Sequence, residues 1–357
     1  MKRLALALVC VAGCGSAVSA NVVSLPPAPS ASVAASPQIT IAPAMHVVVT
    51  GAPYGALALW RTYATGRIEA IAFPWAQLSI IDSLVVSPDG SEVAYVEGGS
   101  AFGPLVVRSL ADGTKTVIDA HVAGGEHLVI AWSPDGRNLL YATRRAGQLR
   151  PDCHRSGCPG AGPSSYFVFD RANHSATNIV VPGELAAWLA PPLGNGDVIV
   201  ADDDGALARA SHGKKTPVAD GAYRHDDFSL DAASHRLLST GWNDATQRSE
   251  VLALDLTTCT ESAVAPPAPY ATYHWPSASP SGRRVAWLAT SFANRRLAEG
   301  LVVDGRAIIA PTRELVGFAW IDDRTLVAHY EDRIDVVAAA DGAVKGSKTT
   351  NAQDMMP

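Results

Sequence analysis

The chain has 357 residues, of which 48% are hydrophobic and 17% are charged. This composition excludes a disordered body, because enough apolar side chains are present to build a core. The formal net charge is −6, and removal of residues 1–13 takes away Lys2 and Arg3 and leaves −8. Nucleic acid is therefore not an expected partner, since binding it requires a basic surface.

The first residues have the pattern of an export signal. Two basic residues are followed by the apolar stretch 4–11, which is too short to span a bilayer but fits a secretory signal. The next segment, Val11-Ala12-Gly13-Cys14, resembles the bacterial lipobox. The resemblance implies a signal peptide over residues 1–13 and a lipid on Cys14 that anchors the chain to a membrane. The alternative is cleavage after Ala20, which would give a soluble secreted protein.

Residues 14–44 are dominated by Ala, Ser, Pro and Val, which predicts an extended tether between the lipid and a folded body. Gly15 behind the cysteine resembles a signal for sorting to the outer membrane. We therefore expect an exported, membrane-anchored lipoprotein on the periplasmic face of the outer membrane or on the cell surface. The folded body is expected over residues 45–349, and a C-terminal tail over residues 350–357.

A sequence unit recurs along the body. Val86–Tyr95 and Trp132–Tyr141 each contain Ser-Pro-Asp-Gly followed by an apolar strand, and Ala278–Trp287 contains Ser-Pro-Ser-Gly in the same place. Weaker copies begin at Trp188, Phe228 and Trp320. The steps between the six starting points are 46, 56, 40, 50 and 42 residues. Periods of this length are typical of propeller blades.

Each unit predicts four short antiparallel strands. An apolar strand enters the turn, in which Pro fixes φ, Asp caps the backbone and Gly tolerates a positive φ. In the first complete unit the later strands are predicted at Glu92–Val96, Pro104–Arg108 and Thr116–Ile118. Such sheets bury their apolar faces by stacking around an axis, which also leaves only short edges.

The repeated pattern Ser-Pro-Asp-Gly-x-x-Leu/Val-x-Tyr resembles the WD-like repeat of TolB-type propellers, which also occurs in the amino-terminal propellers of prolyl peptidases. The resemblance covers most of residues 76–345. It implies an all-β chain made of four-stranded antiparallel blades. Six repeats give six blades, and a partial unit over residues 45–75 adds one more, so we favour seven blades, with six as the alternative.

Three cysteines remain in the expected mature body. Cys153 and Cys158 lie in a long insertion, residues 143–165, between the second and third strands of one blade, and in an oxidising compartment they are expected to form a disulfide. A metal site using both cysteines and His154 is the less favoured alternative, because no second ligand pair stands nearby. Cys259 has no evident partner and is expected to be a buried free thiol.

Three histidines give the one hint of a site. His127, His225 and His274 lie five, three and four residues before the repeat starts, near where innermost strands begin at one mouth of the channel. With Asp226 they form a candidate site for a metal or an anionic ligand, against the alternative that they fall near turns by chance. The insertion is expected at the same mouth, with a basic rim made by Arg144, Arg145, Arg150 and Arg155.

The sequence contains no nucleophile elbow, zinc-protease motif, P-loop or dinucleotide-binding glycine pattern. No cofactor and no resident metal are therefore predicted. The favoured hypothesis is a monomeric, lipid-anchored extracytoplasmic propeller that binds a protein, peptide or glycan of the cell envelope. The alternative is a propeller enzyme, of a metal-assisted lyase or lactonase type, with its site at the channel mouth.

Overall fold

The structure, a computed structural model, describes residues 45–51, 57–71, 84–97, 103–119, 125–145, 165–181, 184–190, 196–202, 206–211, 214–219, 223–243, 246–264, 272–293, 296–313, 315–330 and 332–349. All regular elements in these ranges are β-strands. None of these residues belongs to a helix long and apolar enough to cross a membrane. The lipobox, the tether, the Cys153–Cys158 pair and the C-terminal tail lie outside the described residues.

The strands form seven antiparallel sheets, which we number along the chain. The first sheet has β1 (Met45–Gly51), β2 (Leu57–Tyr63) and β3 (Ile68–Ile71). The second has β4 (Leu84–Val86), β5 (Glu92–Val96), β6 (Leu105–Ser109) and β7 (Lys115–Asp119). The third has β8 (Gly125–Trp132), β9 (Asn138–Arg145), β10 (Ser165–Asp170) and β11 (Ser175–Ile179). The fourth has β12 (Glu184–Leu189), β13 (Asp197–Ala201), β14 (Leu207–Ser211) and β15 (Lys214–Pro217).

The last three sheets repeat this pattern. The fifth has β16 (Arg224–Asp231), β17 (Arg236–Asn243), β18 (Arg248–Asp255) and β19 (Thr260–Ala263). The sixth has β20 (Thr272–Ala278), β21 (Val285–Ala293), β22 (Arg296–Val303) and β23 (Arg306–Arg313). The seventh has β24 (Leu315–Asp322), β25 (Thr325–Tyr330), β26 (Arg333–Ala338) and β27 (Val344–Thr349). In every sheet the strands are hydrogen-bonded in sequence order.

The predicted all-β propeller is confirmed: six sheets are four-stranded blades in a ring. The first sheet has three strands among the described residues, and residues 72–83, which follow it, lie outside them. This sheet packs on the seventh, where a Cβ added to Gly346 would overlap the carbonyl oxygen of Gly66. The two ends of the repeat array therefore meet, which is the contact that a seventh member of the ring requires.

The first strand of each sheet lies nearest the ring axis. This follows from the contacts between sheets, because β4 neighbours β8, β12 neighbours β16, β16 neighbours β20, and β24 neighbours both β20 and β1. The inner strands of the third to seventh sheets all carry a bulge in their pairing with the next strand. A bulge bends a strand and re-aims its side chains, so the inner strands present residues that a regular ladder would not.

Two tryptophans at the end of inner strands tie neighbouring blades together. The indole N–H of Trp132 donates to the carbonyl oxygen of Val85 at 3.3 Å, and that of Trp320 donates to the carbonyl oxygen of Ser277 at 3.1 Å. Val85 and Ser277 both lie two residues before the serine that opens their turn. The two bonds are therefore equivalent, and they account for the tryptophan at this point in the third and seventh blades.

The Ser-Pro-Asp-Gly turn is fixed by its own side chains. Ser133 donates its hydroxyl to Asp135 at 2.6 Å, and the same carboxylate accepts from the backbone N–H of Arg137 at 3.1 Å. These bonds hold the pKa of Asp135 below its ordinary value, with the Ser133 bond the largest cause. Gly136 supplies the positive φ of 69°. The turn predicted from composition is thus the turn observed.

Cys259 corrects one sequence-based expectation. It is exposed and lies between β18 and β19 with a φ of 55°. Its backbone N–H donates to the carbonyl oxygen of Asp255 at 2.9 Å, which closes a tight turn at the blade edge. The expectation of a buried thiol was wrong because the cysteine occupies the left-handed position of this turn rather than the strand that follows it.

Candidate functional site

His127 is the third residue of β8 and is 1% exposed. Its Nδ1 lies 2.9 Å from the carbonyl oxygen of Gly103, in the loop between β5 and β6. Its Nε2 lies 3.4 Å from Oδ2 of Asp119, at the end of β7. Both partners belong to the second sheet, so His127 lies inside the interface between two blades and not on the wall of an open channel.

His225 is the second residue of β16 and is 8% exposed. Its Nδ1 lies 2.9 Å from the hydroxyl of Ser239, and its Nε2 lies 3.4 Å from Oε1 of Glu261. The ring of Tyr223 packs beside it with a centroid distance of 6.2 Å. Like His127, this histidine is enclosed by the fold, so the structure does not bring the three histidines to one solvent-open group.

His274 differs, because its side chain is 40% exposed. Its Nδ1 lies 3.1 Å from Oδ2 of Asp227 on the inner strand of the preceding sheet. This hydrogen bond raises the pKa of His274 above its ordinary value despite partial burial, and the charges of Asp227, Glu299 and Asp226 act in the same direction. The imidazole is therefore oriented by a carboxylate and remains partly exposed.

Asp227 and Trp275 occupy equivalent bulges in adjacent inner strands. Asp227 follows Asp226 in the bulge of β16, and Trp275 follows His274 in the bulge of β20. Their φ angles are 51° and 50°, in the left-handed region of the backbone that residues other than glycine rarely adopt. Each such residue costs about 1–2 kcal/mol, so the surrounding structure must impose it.

The bulge of β20 has a local cause in the sequence. Trp275 is followed by Pro276, which has no backbone N–H and cannot take part in a regular ladder. The proline is buried while the tryptophan before it is exposed. The break in the ladder therefore coincides with the point at which the Trp275 side chain leaves the core.

Trp275 is 51% exposed. The other exposed large hydrophobic residues among those described are Val117, Val180 and Val344, which lie on or beside the outermost strands of their sheets. Trp275 instead lies on an inner strand, directly after His274, whose imidazole lies within hydrogen-bond distance of Asp227. We call Asp226, Asp227, His274 and Trp275 the Trp275 surface; Asp226 in this group is exposed.

The candidate rim loop falls only partly within the described residues. Arg144 and Arg145 belong to β9, where they pair with Glu126 and Gly125 of β8, and so precede the loop rather than form it. This pairing places the start of the insertion at the same end of the blade as His127. Arg150, Arg155, Cys153 and Cys158 lie outside the described residues. Over the described part of the chain, no group of three or more His, Cys, Asp or Glu side chains could hold a metal ion.

The sequence predicts His274 and Asp226 as site residues, but Asp227 and Trp275 are not among the predicted site residues. The signal that could have found the tryptophan is the Trp275-Pro276 pair inside an apolar segment, since proline in a strand marks an edge or a bulge. No local pattern announces Asp227, because its partner lies 47 residues further along the chain.

No family model matches this sequence, and no curated protein matches it. Among solved structures, an oligogalacturonate lyase in complex with manganese is 12% identical and has a TM-score of 0.59, over 81% of this chain and 83% of that one. A prolyl endopeptidase is 14% identical with a TM-score of 0.55, over 87% of this chain and 49% of that one. TolB from Acinetobacter baumannii is 17% identical with a TM-score of 0.48, over 74% of this chain and 62% of that one.

The chain thus spans about half the length of the prolyl endopeptidase and less than two thirds of TolB. At these identities the likeness concerns the fold. It agrees with the resemblance carried by the Ser-Pro-Asp-Gly units, and the chain has a β-propeller fold.

Proposed function

We propose that this chain is a lipid-anchored extracytoplasmic binding module whose propeller presents the Trp275 surface to a protein, peptide or glycan of the cell envelope. The observation that carries the proposal is the exposure of Trp275 on an inner strand, in a left-handed conformation. Tryptophan is among the residues most enriched in the energetic centres of binding surfaces.

The energetics favour a functional reason for this tryptophan. Leaving half of an indole in water forgoes the free energy of burying it, and the positive φ adds a backbone cost. Residues in a strained backbone conformation persist only where surrounding contacts impose that conformation, and they cluster at ligand sites. The His274–Asp227 hydrogen bond at 3.1 Å supplies such a contact at the residue before Trp275.

A pull-down from envelope extract tests the proposal. The mature chain, Trp275→Ala and the matched control Val180→Ala would be immobilised at equal density, since Val180 is also an exposed apolar residue but lies beside an outer strand. We expect a component retained by the parent and by Val180→Ala and lost with Trp275→Ala, with affinity then measured on the purified component. Recovery that does not depend on Trp275 would contradict the proposal.

The anchor is tested separately. The lipobox predicts that Cys14→Ser moves the protein from the membrane fraction to the soluble fraction and abolishes incorporation of labelled palmitate. Unchanged fractionation and labelling would remove the lipid from the proposal but leave the binding surface in place.

A second candidate is the propeller enzyme, and one observation favours it. A histidine held by a carboxylate through Nδ1 is how general bases are oriented, and His274 is the partly exposed member of such a pair. One solved structure with a similar fold is an oligogalacturonate lyase. The test is an elimination assay on oligogalacturonate with and without manganese, followed by ultraviolet absorbance of the unsaturated product. Activity lost in His274→Gln and in Asp227→Asn would favour this candidate, and no turnover by the parent would exclude it for this substrate.

A further inference from the structure

Several aromatic rings of this propeller already have a cation over one face. The distances from the charged group to the ring centroid run from 4.6 to 6.0 Å. The pairs are Arg67 on Tyr63, Arg171 on Trp132, Arg333 on Tyr330 and Lys348 on Trp60. Over the part of the chain that the structure describes, no such pair involves Trp275, although its ring is the most exposed of the described tryptophans. Tryptophan offers the strongest aromatic face for a cation.

The charges around His274, the residue before Trp275, are mainly negative. Asp226 is exposed, Asp227 binds His274, and Glu299 on β22 acts on the same imidazole. The hydrogen bond from Asp227 is the largest cause of the raised pKa of His274, and all three carboxylates contribute with the same sign. One positive charge offsets these carboxylates in part, since β16 also carries Arg224, two residues before Asp226.

We infer that the Trp275 surface binds a basic side chain, a lysine or arginine of a partner protein or peptide, between the indole face of Trp275 and the carboxylate of Asp226. The inference rests on the proposed function, because it names the ligand chemistry of the same surface. Charge complementarity selects this occupant over a neutral glycan, which would stack on the ring and donate hydroxyl hydrogen bonds to the carboxylates but would leave their negative charge uncompensated.

The inference is tested by following the indole N–H signal of Trp275 by NMR in the mature chain, assigned by its loss in Trp275→Phe. Three probes are titrated: hexa-arginine, hexa-glutamate and the neutral sugar chitohexaose. We expect a saturable shift with hexa-arginine alone, and weaker binding at higher salt because the attraction is screened. A circular dichroism spectrum of every variant checks that it remains folded.

Variants separate the ring from the charge. Trp275→Ala is expected to weaken hexa-arginine binding about tenfold, since it removes the cation–π face and the apolar contact. In the parent, the side chain of Asp226 accepts a hydrogen bond from the backbone N–H of Asp227 at 2.9 Å, and the amide oxygen of Asp226→Asn can accept the same bond. This variant removes only the charge and is expected to weaken binding about two- to fivefold. Asp341→Asn removes one charge from an exposed turn of the seventh sheet and is the matched control, with unchanged binding expected.

Each result has a defined meaning. Absence of a hexa-arginine shift, or equal binding by the parent and Trp275→Ala, overturns the inference. A chitohexaose shift at Trp275 without a hexa-arginine shift overturns the cation chemistry while the binding module stands. If, in addition, the envelope pull-down shows no dependence on Trp275, the proposed function falls as well.

Discussion

His127 and His225 occupy the same position in two different blades. Each lies six residues before the residue that opens the following turn, Ser133 in one blade and Asp231 in the other. In both, Nδ1 lies 2.9 Å from an oxygen and Nε2 lies 3.4 Å from a carboxylate. The repeat therefore builds a similar enclosed histidine–carboxylate arrangement twice. The partners of His127 lie on the neighbouring blade, whereas those of His225, Ser239 and Glu261, lie on strands of its own blade.

The first prediction follows from the partners of His127. Because a carbonyl oxygen only accepts, Nδ1 of His127 carries the proton that binds Gly103. His127→Ala leaves this carbonyl without that donor and opens a cavity between two blades, so we expect the free energy of unfolding to fall by about 2–4 kcal/mol. Urea unfolding measures it.

The control for His127 is His235→Asn. His235 is exposed and has a φ of 52°, a conformation that asparagine tolerates. This change is expected to alter the free energy of unfolding by less than about 0.5 kcal/mol. Similar losses in the two variants would show that His127 does not join the blades.

The second prediction concerns the contact between the first and seventh sheets. Gly346→Ala places a methyl group onto the backbone of Gly66, and the backbone cannot move aside as a flexible side chain would. We expect a loss of about 2–3 kcal/mol in the free energy of unfolding. The matched change Gly317→Ala, where no atom lies within 4 Å of the new methyl group, is expected to be nearly neutral. Equal midpoints in thermal unfolding would argue against a closed ring.

The third prediction is a pH dependence of the His274–Asp227 pair. The hydrogen bond to Asp227 raises the pKa of folded His274, so the pair stabilises the fold fully below the unfolded pKa of about 6.5. That stability is lost as the pH rises through the raised pKa. Asp227→Asn should therefore reduce the free energy of unfolding more near pH 5.5 than near pH 9, by less than about 1 kcal/mol because solvent screens the pair.

NMR titration of the His274 ring checks the same pair directly. Asp227→Asn should lower the pKa of His274, since it removes the largest cause of the rise. A midpoint that does not move, or a stability difference that grows with pH, would contradict the pairing.

The fourth prediction compares two tryptophans with equal exposure. Trp320 and Trp188 are each 7% exposed, but Trp320 donates to the carbonyl oxygen of Ser277, whereas the indole N–H of Trp188 has no hydrogen-bond partner among the described residues. Both changes to Phe remove similar volume. Trp320→Phe should therefore cost about 1 kcal/mol more in unfolding free energy than Trp188→Phe, which relieves an unsatisfied donor. Equal costs would show that the bond between blades contributes little.

Local chemistry made most of the fold predictable from sequence. The strands at Glu92–Val96 and Leu105–Ser109 lie within one residue of their predicted positions, because turn residues and apolar alternation mark both ends. The fifth blade shows where this stops. The sequence predicts that its repeat starts at Phe228, but the pairing of Asp231 with Arg236 puts the turn position at Asp231 and the equivalent of Trp132 at Leu230.

The shift in the fifth blade has a physical cause in its turn. This turn has no Ser-Pro-Asp-Gly, since Asp231 takes the place of the serine and binds Arg236 at 2.7 Å. The sequence pattern that marks the turn in other blades is therefore missing here.

The candidate site was less predictable for a related reason. A tryptophan in an apolar segment is typical of the core, and only the bulge, which depends on pairing with the next strand, turns Trp275 outward. Likewise, the hydrogen bond between Asp227 and His274 joins two blades, so the sequence around either residue gives no signal of it.

The contact between β3 and β27 also affects how the chain folds. Lys345 donates to the carbonyl oxygen of Ala64 at 3.3 Å, although the two residues are 281 positions apart in the sequence. The first sheet therefore cannot pack against the seventh sheet until almost the whole body has been synthesised and the last sheet has formed. Assembly is expected to be slow, because contacts this distant require a long loop to close. Deletion of β27 alone would remove the strand that contacts β3 and open the ring between the first and seventh sheets. A label fused beyond either end of the propeller would lie near the same junction.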